Sequence, residues 1–232
     1  MNKKDFFEKI KGGLVVSCQA LPEEPLFSSF IMGRMAVAAE EGGASGIRAN
    51  TPDDIKEIKR MTDLPVIGLT KAVYSDSSVY ITPTIKEIDE LVESGADAIA
   101  TDATDRTRPD GKSITEFFHE VRKKYPDMIF MADCAKDDDA IRAEKLGFDM
   151  AGTTLRGYTE ETRGVSIPDM HMIKYLSKNL NIPLIAEGGI WEREQLAEVF
   201  ENGAYAAVIG TAITRPRDIT RRFVESIPRK LE

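Results

Sequence analysis

Four polar residues end four short apolar runs: Gln19, Lys71, Asp133 and Glu187. Each lies two residues beyond Ser17, Leu69, Met131 and Ile185, which lie two beyond Val15, Ile67, Ile129 and Pro183. Residues two apart on a strand share a face, so two mostly apolar layers would carry a wholly polar one. An amide, an ammonium and two carboxylates are costly to bury without partners, which places them at the mouth of a site. An amine facing an acid across a bound molecule can take a proton from one face of a carbon and return one to the other. Lys71 suits the base role if partial desolvation and the nearby cation Arg48 bring its pKa toward neutrality. Asp133 and Gln19 would orient hydroxyl or amide groups, and the pattern leaves open which carboxylate exchanges protons. The blander alternative is an ion-pair ring of purely structural value.

Two more segments suit anion binding. The run from Ile182 to Ala186 breaks into Glu187-Gly188-Gly189, and the run from Ala204 to Ile209 breaks into Gly210-Thr211-Ala212. Glycine lets the main chain approach an anion closely, and the helices that follow would add the positive ends of their dipoles. Side by side, two such loops form a phosphate cup.

These residues need a scaffold that aligns strand ends, and the chain supplies eight apolar runs. They are Gly13–Gln19, Ala44–Ala49, Pro65–Lys71, Ala96–Ala103, Met128–Cys134, Phe148–Leu155, Ile182–Gly188 and Ala204–Thr211. Helix-period patterns separate them, such as Ile55, Ile58, Met61 and Ile85, Ile88, Leu91, Val92, opened by Thr51-Pro52 and Pro83-Thr84. Runs 2, 4, 6 and 8 are entered through Gly43-Ala44, Gly95-Ala96, Gly147-Phe148 and Gly203-Ala204, whereas runs 3, 5 and 7 are entered through prolines. The two-unit period favours a closed (β/α)8 TIM barrel over an open sheet. One domain over residues 1–232 is expected, with phosphate at strands 7 and 8. Strands 3 and 7 are then diametrically opposite, so Lys71 and Glu187 face each other.

Composition narrows the function classes. The 232 residues are 42% hydrophobic and carry a net charge of −8, which argues against nucleic acid or an anionic membrane as partner. No apolar run approaches transmembrane length. Cys18 and Cys134 are far apart, so a reducing cytoplasm is the simplest setting, and both should point outward under the helices. His119 and His171 lie in helical segments without metal-ligand spacing, so surface or packing roles are expected and no metal site. Arg217, Arg221 and Arg222 read as a solvated helix face. Asp102, Asp105, Arg106 and Arg108 after strand 4 either close over a ligand or pair with one another. The helix expected from Asp218 to Arg229 is a candidate surface for a homodimer.

Several segments together resemble the N-acylmannosamine-6-phosphate 2-epimerases. They are Val15-Val16-Ser17-Cys18-Gln19-Ala20, Gly46-Ile47-Arg48, Met131-Ala132-Asp133-Cys134, Gly152-Thr153-Thr154, Gly157-Tyr158-Thr159, Ala186-Glu187-Gly188-Gly189 and Gly210-Thr211-Ala212-Ile213-Thr214-Arg215-Pro216. The resemblance runs nearly end to end and implies a barrel of the ribulose-phosphate-binding type. It implies interconversion of N-acetylmannosamine 6-phosphate and N-acetylglucosamine 6-phosphate in sialic acid breakdown, without a redox or metal cofactor. It also implies Lys71, Asp133 and Glu187 as catalytic, and Gln19, Arg48, Thr154, Gly157 and Tyr158 as substrate contacts. The phosphate would rest on Gly188, Gly189, Gly210 and Thr211 beside Arg215. The chain departs from the family pattern at Ala135 and Lys136, where small hydroxyl residues are usual, and at Arg156, where a small residue is common. Rival readings are a lysine Schiff-base aldolase, a flavin-binding barrel and a non-catalytic sugar-phosphate sensor.

Overall fold

A computed structural model describes residues 1–228. Eight parallel strands close into a barrel in chain order, β1 pairing with both β2 and β8. The strands are β1 Leu14–Cys18, β2 Gly46–Asn50, β3 Val66–Leu69, β4 Ala98–Asp102, β5 Ile129–Asp133, β6 Met150–Gly152, β7 Leu184–Glu187 and β8 Ala206–Ile209. Each falls inside its expected run except β2, which continues one residue further to Asn50. The helices are α1 Lys3–Ile10, α2 Ser29–Glu41, α3 Pro52–Met61, α4 Ile85–Glu93, α5 Ile114–Lys124, α6 Asp137–Leu146, α7 Met170–Asn179, α8 Arg193–Glu201, α9 Thr211–Thr214 and α10 Pro216–Glu225. The helix expected over Asp218 to Arg229 is thus α10, starting earlier, and Arg229 lies outside the described residues.

Local chemistry starts and stops these helices where the sequence suggested. Thr84 and Ser113 cap α4 and α5, each in a reciprocal pairing with a glutamate three residues on, Glu87 and Glu116. The glycines before runs 2, 4, 6 and 8 (Gly43, Gly95, Gly147 and Gly203) all have φ between 83° and 96°, the left-handed conformation that ends a helix. Lys136 opens α6 without a side-chain cap. The Asp139 carboxylate reaches back to the Ala135 and Lys136 N–H groups instead.

The strand register fixes which side chains share a level. Carried once around the ring through its paired residues, position 17 leads to position 9, a displacement of eight residues, as an eight-strand barrel with shear eight requires. Interior layers therefore advance two residues in register for every second strand. Val15, Ile67, Met131 and Ile185 form one odd-strand layer, Ser17, Leu69, Asp133 and Glu187 the next, and Gln19, Lys71, Ala135 and Gly189 the one above. The expected polar layer is thus split: Asp133 and Glu187 sit one level below Gln19 and Lys71. The expected set took Lys71 and Asp133, which are in direct register through β4, as one level and so omitted the advance from β3 to β5. On the even strands, Arg48 shares its level with Ala100, Gly152 and Val208. A Cβ on Gly152 would lie 2.3 Å from the Met131 methyl, so this small-residue layer is what admits the arginine.

Alternation leaves the other face of each strand to the helices. Val16, Cys18, Ile47, Ala49, Phe130, Ala132, Cys134 and Ala186 belong to the outer core, and both cysteines are fully buried there as expected. Below, α1 plugs the barrel with Phe6 and Ile10, both 0% exposed and packed with Val15, Ile67 and Ile129.

Two aspartates anchor this closure. Asp97 accepts from the Val66 N–H and pairs with Lys59 and the Met1 ammonium, and Asp149 accepts from the Phe130 N–H at 2.7 Å and pairs with Arg122 and Lys3. Asp149→Ala would strand that buried N–H and is expected to lower stability by about 2 kcal/mol in urea unfolding. An unchanged unfolding midpoint would remove Asp149 from the scaffold.

Candidate active site

A cavity of ≈ 200 Å³ opens at the C-terminal end of the barrel. Gln19, Arg48, Lys71, Thr154, Tyr158 and Glu187 line it together with Gly188, Gly189, Gly210, Thr211 and Arg215. One wall comes from the end of β7 and the opposite one from the segment after β3, so Glu187 and Lys71 reach the same space from facing strands. Asp133 is not part of the lining, contrary to expectation. It is 0% exposed and lies beneath the floor, a consequence of the register.

Arg48 joins these levels. It is 1% exposed, and its side chain crosses the barrel to both acids. Nη1 and Nη2 make a two-pronged contact with Asp133 at 3.1 and 2.5 Å, and Nη1 also reaches Glu187 Oε2 at 2.7 Å. The Thr154 hydroxyl lies 2.7 Å from Asp133 Oδ1 and 3.1 Å from Glu187 Oε2. A hydroxyl has one proton, so it donates to only one of these acids at a time. Thr154 therefore serves the network as well as the cavity wall. Burial pushes both carboxyls above the ordinary range, and the Arg48 charge opposes that rise. Glu187 Oε1 has no partner among the described residues.

Lys71 has the opposite surroundings. Its backbone N–H donates to Asn50 Oδ1 at 2.8 Å, while its ammonium makes no ion pair among the described residues. Burial is the main cause that lowers its pKa to about 8, helped by the positive charges of Arg215 and Arg48 and opposed by Glu187 and Glu24. The condition set by the sequence reading, desolvation aided by Arg48, is met, with Arg215 as a further cation.

The two glycine loops meet on the other side. No acceptor among the described residues pairs with the N–H groups of Gly188, Gly189, Ile190, Gly210, Thr211 or Ala212, all of which line the cavity. Gly189 has φ +74°, and a Cβ there would lie 2.6 Å from the Ile167 backbone, so only glycine fits. Arg215 borders this cup, with Nη2 3.2 Å from Glu24 and 3.3 Å from the Gln19 carbonyl.

Other expectations sort clearly. Gly157 does not line the cavity; at φ +84° it donates to the Thr162 hydroxyl and shapes the loop that presents Tyr158. Arg156 pairs with Asp169 at 2.7 Å, and Lys136 bridges Asp105 and Glu161, so both departures act as loop braces. After β4, Asp102 pairs with Arg106, Arg108 is buried on backbone carbonyls and Asp105 pairs with Lys136, so only one of the expected pairs forms within the cluster. His119 and His171 are exposed. Sequence reasoning missed Asn50, Tyr80 and Trp191. Asn50 was accessible by extending the alternation one step beyond Arg48. Tyr80 sits nine residues past Lys71 in an irregular loop that carries no periodic signal.

Comparisons with known proteins agree with one another. The family model described as "Putative N-acetylmannosamine-6-phosphate epimerase" matches residues 32–229. A relative from Caldanaerobacter subterraneus subsp. tengcongensis is 51% identical, covering 96% of this chain and 94% of its own, and one from Borreliella afzelii is 54% identical, covering 95% and 96%. Both bear the name "Putative N-acetylmannosamine-6-phosphate 2-epimerase". The solved structure of the N-acetylmannosamine-6-phosphate 2-epimerase from Clostridium perfringens superposes with a TM-score of 0.91 at 48% identity, covering 95% of this chain and 96% of that one.

The depressed amine can be tested without a substrate. Pulse acylation read by peptide mass spectrometry should show Lys71 reactivity rising with pH and levelling above about 8, because the free amine is the nucleophile. Ordinary lysines should keep gaining reactivity well past that point. A Lys71 curve that follows theirs would refute the assignment.

Proposed function

The chain belongs to the N-acetylmannosamine-6-phosphate 2-epimerase family, and we propose how its site interconverts N-acetylmannosamine 6-phosphate and N-acetylglucosamine 6-phosphate. The observation that carries the proposal is an unpaired, low-pKa amine opposite a carboxylate in one cavity, beside a cup of unpartnered N–H groups. In the open-chain sugar the C2–H bond adjoins the C1 aldehyde. Deprotonation there gives an enolate, and a proton returned to the other face inverts C2.

Phosphate seats against the N–H groups of Gly188, Gly189, Gly210 and Thr211, with Arg215 as its cation. This remote anchorage supplies binding energy that orients C2. Lys71 removes or returns the C2 proton, and Gln19 lies within reach of the sugar hydroxyls. Arg48 acts chiefly through the acids it holds, because its Nη groups are already committed to them. Asp133 likewise acts as a positioning residue. Two routes fit the second face. The free Oε1 of Glu187 and its raised pKa favour Glu187 as a second acid/base, whereas the Arg48 contact on Oε2 weakens it as a base and favours relay through a substrate hydroxyl.

No helix among the described residues is long and apolar enough to cross a membrane, and a cytoplasmic setting fits two buried free thiols. We also propose a homodimer formed through α10. That helix buries none of its residues, and Phe223, Val224 and Ile227 at its end are 71%, 57% and 64% exposed. An apolar stripe of this kind on a charged helix suits a protein partner.

Two experiments follow. In deuterated water, proton NMR should show N-acetylmannosamine 6-phosphate converting to the gluco epimer with deuterium at C2. Lys71→Ala should abolish the exchange. Near-normal turnover by Glu187→Gln would exclude the two-base route, and a loss of about 100-fold or more would support it. Light scattering should give the mass of two chains for the native protein and of one for Phe223→Glu; a native monomer would refute the pairing.

A further inference from the structure

A second cavity of ≈ 460 Å³ adjoins the first, and Tyr80 and Tyr158 line both. Its remaining walls come from the loops after β3, β4, β5 and β6, including Ser78, Asp105, Lys136 and Arg163. Neither tyrosine hydroxyl has a hydrogen-bond partner among the described residues, although Tyr80 is partly buried. Burial holds the Tyr80 phenol up at about 12, so it remains a hydrogen-bond donor. Two unpartnered donors thus stand at the passage between the cavities.

The sugar's orientation decides what reaches that passage. This step rests on the activity proposed above. With phosphate held at the strand 7 and 8 loops and C2 between Lys71 and Glu187, the phosphate-bearing C6 and the acylamino-bearing C2 lie toward opposite ends of the molecule. The C2 substituent therefore points toward the loops after β4, β5 and β6, where the second cavity lies. We propose that this cavity is an acyl subsite: the amide carbonyl accepts from Tyr80 or Tyr158, and acyl chains longer than acetyl extend between the two rings. The walls beyond are hydrophilic. Lys136 is shared between Asp105 and Glu161, Ser78 is exposed, and Arg163 has no carboxylate partner among the described residues. The subsite should consequently prefer a chain that ends in a hydroxyl over an alkyl chain of equal length, since an alkyl end would displace water from polar groups without replacing its hydrogen bonds.

Isosteric substrates test this. Epimerisation is measured for N-acetyl-, N-(3-hydroxypropanoyl)- and N-butanoylmannosamine 6-phosphate. The hydroxypropanoyl compound should retain at least about a third of the acetyl kcat/KM and exceed the butanoyl compound about fivefold or more. A smaller retained fraction, or no preference over butanoyl, overturns the subsite. In Ser78→Trp, which narrows the cavity from its rim, the hydroxypropanoyl-to-acetyl ratio should fall about tenfold, and an unchanged ratio counts against the subsite. The wild-type ratios decide the matter even if that variant does not fold. Failure of the acetyl compound to exchange at C2 would have a different meaning, bringing down the underlying activity and the subsite with it.

Discussion

The site depends on one buried contact, the Arg48 guanidinium held between Asp133 and Glu187. Removing three charges from water is expensive, and such an arrangement survives only with close geometry and few unmet hydrogen-bonding groups. The two-pronged Asp133 contact, the shared Thr154 hydroxyl and the short Glu187 contact meet most of that demand, leaving Arg48 Nε buried without a partner among the described residues. The consequence reaches Lys71. Because Arg48 holds Asp133 beneath the floor and draws Glu187 toward itself through Oε2, the lysine has no close ion pair among the described residues. An amine left desolvated near positive charge gives up its proton more readily, which is what a base working near neutral pH requires.

In the proposed reading, the phosphate cup and the base are coupled through Arg215. Its charge lowers the proton affinity of Lys71 while its guanidinium borders the glycine loops and is tethered to Glu24. A phosphate dianion seated in those loops would offset the Arg215 field. By the ordinary sign of charge interactions, that raises the proton affinity of Lys71 once substrate is in place. With its pKa at about 8, the Lys71 amine is neutral far more often near pH 7 than an ordinary lysine's, and a bound phosphate would strengthen its hold on a proton taken from C2. On that reading, anchorage and base strength would come from the same few residues.

Much of this was legible in the chain, and the errors are instructive. Eight strands, their alternation, the glycine and proline entries and the facing of Lys71 and Glu187 all follow from periodicity and from the short-range chemistry of helix ends. The level of Asp133 does not. Counting residues from a common apolar layer put Asp133 level with Lys71, its direct partner in register through β4, and so left out the two-residue advance that the closed barrel makes at every second strand. Register is set by side-chain packing among all the strands, including small residues such as Ala100 and Gly152 that carry no chemistry of their own. Tyr80 and Tyr158 were hidden or half-understood for another reason: irregular loops place side chains through specific tertiary contacts rather than through a period.

The charged cluster after β4 shows how such loops are fixed. Arg108 is 2% exposed, and it donates to the carbonyls of Thr82, Pro83 and Asp102 and lies over the Phe117 ring. A buried arginine with no carboxylate at its head is tolerated when oriented carbonyls take its N–H groups. What it holds is unusual. Thr82 has φ +47°, a conformation costly for a β-branched residue, and it persists only where its surroundings over-determine it. Its N–H donates to the Thr70 carbonyl, its hydroxyl accepts from the Thr70 N–H, and its carbonyl accepts from Thr101 as well as Arg108. Those contacts close the hairpin-like segment that starts with Lys71 and ends beside Tyr80. Charges that the sequence offered as a possible cover over the ligand are thus used one step further back, fixing the backbone from which the proposed base and the tyrosine beside it both project.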